Sequence, residues 1–234
     1  MTVGLMLLMS TPAVAETCAA PDGSPALASI DLHTRIDYLT SSMRRSARDT
    51  RIWAWSWAGI YSAIAVAQFA TLPVKNHADQ IDTYYQGTAS IVGVLPLMLS
   101  PQPVMRDQRF ADRGLRNGRG DCAFLSELEW RAARDAKQQA FGKSPLVHIG
   151  AFLVNFGIGA GLAMGYHHLL SGVLQIVIGE TVAELQIASQ PGDMPLVLER
   201  YRAGDLRPVK RSKFSDVHWH LAPMGTGAQF VLTY

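Results

Sequence analysis

The sequence predicts an all-α membrane protein with four transmembrane helices in two hairpins, flanked by amphipathic extramembrane helices and closed by a small carboxyl-terminal β-hairpin. Two observations carry this prediction. The 234 residues hold 21 Lys and Arg against 19 Asp and Glu, 17% charged overall. Yet Ile52 to Val74, Thr83 to Met105 and Ser144 to Gly179 contain none of these four residue types. Small residues also recur at every fourth position inside two of these windows, at Gly157, Gly161 and Gly165 and at Ala54, Ala58 and Ser62. Such stripes let helix backbones approach closely in lipid, whereas in a soluble helix each glycine costs about 1 kcal/mol relative to alanine. A net charge of +2 argues against a nucleic-acid binder, because it is too small to attract phosphate over a whole surface. Nor does the composition fit a disordered chain or a disulfide-dense miniprotein.

The elements follow in order. Residues 1–15 read as a signal peptide: an apolar run from Leu5 ends in Ala13-Val14-Ala15 and is too short to span about 30 Å of hydrocarbon. Residues 16–51 should hold an amphipathic extracytoplasmic helix, because Leu32, Ile36, Leu39, Met43 and Ala47 recur at helical spacing. The first hairpin occupies 52–105. Its spans are Trp53 to Leu72, entered by Trp53, Trp55 and Trp57 as an aromatic belt, and Tyr84 to Ser100, kinked at Pro96. Residues 106–143 form an outer loop with a helix whose stripe is Phe124, Leu128, Ala132, Ala136 and Ala140, with Glu127 and Arg131 placed to pair.

The second hairpin, 144–189, opens at Ser144-Pro145, turns at His167-His168 and stops at Pro191-Gly192. The tail, 190–234, ends in alternating apolar residues on both sides of a turn at Pro223 to Gly227, which reads as a β-hairpin.

Four spans place the three longer segments on one side of the membrane, and a cleaved signal peptide puts that side in the periplasm. The positive-inside rule points the other way, because those segments hold 20 of the 21 Lys and Arg. The cysteines, Cys18 and Cys122, are either a disulfide in an oxidising compartment or two unrelated thiols.

Glu180 and Glu184 break the pattern of uncharged spans. They lie one turn apart on the fourth span, where ionisable groups are costly and mark candidate sites. A tight turn at Leu169-Leu170 sets Asn155 level with Glu184 and Gly159 level with Glu180. The group is then either a proton- or cation-responsive site or a hydrogen bond that locks two helices. His77, Asp79 and Asp82 share a membrane face with His167 and His168, but their spacing matches no metal motif. No nucleophile elbow, zinc-protease helix, dinucleotide fingerprint or paired cysteine motif is present. Neither a catalytic set, a metal nor a cofactor is therefore expected. The expected role is a non-enzymatic structural or interaction component of a bacterial inner membrane. Its partners would be membrane lipid, other envelope proteins or further copies of the chain, and not nucleic acid. The alternative is a small proton- or ion-coupled transporter or channel subunit using Glu180 and Glu184.

Overall fold

The computed structural model describes residues 18–21, 24–99, 102–209, 218–224 and 227–233, with side chains as far as residue 209. The signal-peptide expectation lies outside these residues. Eight α-helices are described: α1 (Pro25–Ala28), α2 (Leu32–Thr71), α3 (His77–Leu99), α4 (Pro103–Arg116), α5 (Cys122–Gly142), α6 (Pro145–Ala160), α7 (Leu169–Ser189) and α8 (Met194–Arg202). Two strands, β1 (His218–Met224) and β2 (Gly227–Thr233), pair antiparallel with Trp219 opposite Leu232.

Four helical stretches are long and apolar enough to cross a membrane, running through Leu32–Val74, His77–Arg116, Pro145–Gly165 and Leu169–Arg202. They form two helical hairpins, α2 with α3 and α6 with α7, each packed along its length. The chain is thus a predominantly helical membrane protein.

Helix α2 is forty residues long. Asp31 starts it by accepting the Thr34 backbone N–H at 3.1 Å. Its first half buries Leu32, Ile36, Leu39, Met43 and Ala47, and its second half buries only Ala58 and Ala65. A division at 51/52 falls inside this unbroken helix, because no proline or glycine interrupts it between Asp31 and Gly59.

Helices α4 and α8 lie in segments without a readable helical period. In α4, six charged residues among fourteen mask the buried row Val104, Asp107, Ala111 and Gly114. Proline at its first position suits a helix start, where the missing N–H has no partner to lose. In α5, Asp121 caps the helix through the Phe124 N–H at 2.7 Å, and Phe124, Leu128, Ala132 and Ala136 are buried. Ala140 is exposed and Gln139 takes the inward place, because its amide joins Ser46 at 2.8 Å and the Met194 N–H at 3.0 Å.

The hydrophobic core lies outside the apolar spans. It unites the first half of α2 with α4, α5 and α8, and includes Leu39, Met43, Leu128 and Tyr201. These three chain segments, separated by the two hairpins, must therefore share one side of the membrane. Cys18 and Cys122 form a disulfide whose Cα atoms lie 5.5 Å apart, tying the start of the described chain to α5. Arg35, fully buried, donates to Tyr201 Oη at 2.9 Å, to the Cys18 carbonyl at 3.0 Å and to Glu129 Oε1 at 2.6 Å. Tyr201 also donates to Glu129, so the buried charge pair is hydrogen-bonded from several sides.

Candidate functional site

The two hairpins meet at their ends and stand apart between them. At the end next to the helical domain, Trp53 Nε1 donates to the Gln186 carbonyl at 3.2 Å, and Trp57 Nε1 donates to Ser189 Oγ at 3.0 Å. One turn deeper, Tyr61 Oη donates to Gln186 Oε1 at 2.9 Å. Of the three tryptophans read as a belt, only Trp55 is largely exposed, at 62%. The reason is helical phase: Trp53, Trp57 and Tyr61 repeat every four residues and face α7 together.

At the far end Asp82 is held by the second hairpin. Its Oδ1 lies 2.5 Å from His168 Nδ1, and its Oδ2 accepts from Ser171 Oγ at 2.5 Å. Beside it the Tyr85 and Tyr166 rings meet edge to face with centroids 5.5 Å apart. Asp82 therefore ties α3 to the turn and first residues of α7 through both carboxylate oxygens. His77 and Asp79 do not join it. Among the described residues no group of three His, Cys, Asp or Glu is placed to hold a metal.

Between the two clamps lies a cavity of about 760 Å³ lined by all four spans. It is open to the surface, and Val92, Val154 and Ile178 are both part of its wall and exposed.

The intramembrane polar residues fall in a different register from the one predicted. Asn155 Nδ2 donates to Glu180 Oε2 at 3.2 Å, while Glu184 pairs with His148, whose Nδ1 is 2.7 Å from its Oε1. The shift arises at the turn. Helix α6 passes into a π-helical segment, Gly161–Gly165, and His167 adopts a positive φ of 60°, so the hairpin closes nearer α6 than a uniform α-helix would. His148 carried no signal in sequence because it is single and close to the start of a helix. Asn155 lines the cavity; neither glutamate does.

The predicted packing stripes are corrected as well. Gly157 and Gly165 are exposed, with open space where a Cβ would sit, and Gly161 has only the Tyr85 ring at 3.4 Å. The close approach in this hairpin is made by Gly159 and Gly172, where a Cβ on either would collide with the other's carbonyl oxygen. Two residues apart on a regular stretch of α6, Gly157 and Gly159 point to opposite sides of the helix, and it is Gly159 that faces α7. On α2, Ala58 is buried and Ala54 is half-buried on the cavity wall, but Ser62 is exposed and Ala65 takes the next inward place, seven residues from Ala58.

Outside the spans, α2 and α4 present an arginine face. Arg44, Arg48 and Arg51 on α2 and Arg106, Arg109, Arg113 and Arg116 on α4 are all exposed. The helices are tied by Arg44 to Asp112 at 2.8 Å. Arg51, Arg106, Arg109, Arg113 and Arg116 form no ion pair among the described residues.

The arrangement defines a class, a polytopic helical membrane protein with a disulfide-closed helical domain and a cavity between its hairpins. Comparison with protein-family models, with curated proteins and with solved structures finds no match.

Proposed function

We propose that this protein is a non-enzymatic structural or interaction component of a bacterial inner membrane, with its helical domain in the periplasm. The observation that carries this reading is the arginine face on α2 and α4. Five of its seven cations lack an acidic partner among the described residues, and it belongs to a domain fixed to the bundle through one continuous helix. Such a face suits an acidic region of another envelope protein, because complementary charge steers and registers docking. The disulfide supports the periplasmic orientation, since such bonds persist in oxidising compartments.

The test is a photoreactive side chain at Arg113 in native membranes. A discrete cross-linked adduct that disappears when Arg106→Glu and Arg109→Glu are introduced, with helix content unchanged, is the expected result. An adduct indifferent to that reversal overturns the acidic-partner assignment.

The second reading is a proton- or ion-coupled carrier or channel subunit. It draws support from two carboxylates on one span, each held by a neutral or titratable partner, Asn155 and His148. Proteoliposome flux decides between the two: transport that is lost in Glu180→Gln establishes the carrier and ends the purely structural reading.

A further inference from the structure

We propose that the cavity between the hairpins binds a single-chain amphiphile with an uncharged, hydrogen-bonding headgroup, of which a monoacylglycerol is representative. Its shape comes first. The wall runs from Trp53 to Gln68 along α2, roughly 22 Å at 1.5 Å per residue. With a volume of about 760 Å³ spread over that length, the cavity has the elongated proportions of a chain-like ligand.

The distribution of polar groups is the second observation. Among the described residues, no Asp, Glu, Lys, Arg or His lines the cavity. Amides gather instead at its two ends: Gln102, Gln138 and Gln190 toward the helical domain, and Gln68, Gln86 and Gln175 at the far end. Between them the wall is Ile64, Val92, Val154, Ile178 and Val182. In this middle stretch Asn155 is already committed to Glu180 and Ala151. At the domain end Tyr61 and Gln186 are committed to each other, and three further amides are free. The side-chain amides of Gln102, Gln138 and Gln190 make no hydrogen bond among the described residues, and Gln175 is likewise unengaged at the other end.

The energetics then select the ligand. A hydrocarbon chain gains little by leaving lipid tails for an apolar wall, because both are equally apolar. Discrimination must come from the head, and uncommitted amides both donate and accept. A hydroxylated or amide head satisfies them, whereas a carboxylate or phosphate would meet no cation among the described residues of the wall itself.

The test uses the intact protein in nanodiscs with two diazirine probes of equal chain length, a monoacylglycerol and a fatty acid. The expected result is a monoacylglycerol adduct on α3 and α6 peptides that line the cavity, displaced by excess unlabelled monoolein, with the fatty acid giving much less. Gly150→Phe, at a cavity-wall position where a Cβ meets no atom within 4 Å, should lose the adduct. Leu153→Phe, on the outer face of α6 at 60% exposure, should keep it. Equal labelling by both probes, or labelling that survives Gly150→Phe, reduces the contact to ordinary surrounding lipid and overturns the proposal. Glycerol flux through proteoliposomes without monoacylglycerol labelling overturns it too, by making the cavity a path for small neutral solutes.

Discussion

Asp135 shows how a single residue of the helical domain can set a measurable property of the whole. It is buried on α5, and burial first, then the neighbouring Asp107 carboxylate, push its pKa from 3.8 up to about 8. Arg131 and Arg134 bind Asp107, at 2.8 and 2.5 Å, and leave Asp135 to keep its proton. The unfolded chain releases that proton near pH 3.8 and the folded chain near pH 8. The stabilisation is therefore complete below the first value and is lost as pH rises through the second. Asp135→Asn should unfold at a higher temperature than the wild type at pH 8.5 and at a similar one at pH 4. Parallel melting curves across that range would show that Asp135 is ionised in the folded state throughout. Arg35 poses the complementary case of a buried cation with its partners in place. Removing it in Arg35→Ala strands Glu129, for which about 3–5 kcal/mol of destabilisation is expected in denaturant titrations. Neither role was legible in sequence, where Arg35 and Asp135 are two charges among forty; only packing shows which charges face inward.

At the scale of elements, legibility followed periodicity. The α2 stripe from Leu32 to Ala47 and the α5 stripe from Phe124 to Ala136 were read from spacing and are buried. Helix α4 was hidden by its own arginines, because a pattern of four inward positions is weak when the other ten are largely charged or polar. The second hairpin was legible as a hairpin but not in its register. A turn centred on Leu169-Leu170 sets the expected levels, whereas the chain reverses at Tyr166 to His168 after the π-helical end of α6, and every pairing moves with it. Helical phase separates two glycines of similar appearance. Gly159→Leu should disrupt α6 against α7, with overpacking costing about 1–3 kcal/mol or more, while Gly157→Leu should be nearly silent. Thermal aggregation of the two variants in one detergent provides the comparison, and equal behaviour would contradict the placing of Gly159 against α7.

For the whole molecule the sequence left orientation as a conflict between a leader-like amino terminus and the distribution of arginines. The disulfide adds a third observation on the side of the leader. Single cysteines in place of Lys75 and Arg119, in a background with Cys18→Ser and Cys122→Ser, should label from outside intact cells only at the second site. Labelling at Lys75 instead would place the helical domain in the cytoplasm and remove the argument from the disulfide. That background itself should be less stable by about 2–5 kcal/mol, since the bond closes a loop of 104 residues. The cavity was beyond sequence reasoning for a simple reason. Its amides are scattered from Gln68 to Gln190, and nothing in their spacing says that they converge.

Helix α2 has one more consequence. Forty residues at 1.5 Å make a rod of about 60 Å, twice the thickness of the hydrocarbon layer, and nothing between Asp31 and Gly59 gives it a joint. The domain is mounted on this rod as a blade on a shaft. Its tumbling is that of the entire particle, so a fluorophore rigidly attached at Arg44 should report the slow rotation of the nanodisc. By the same rigidity, a torque applied to the arginine face is delivered, without slack, to Trp53 and Trp57, where α2 meets the end of α7 and the mouth of the cavity.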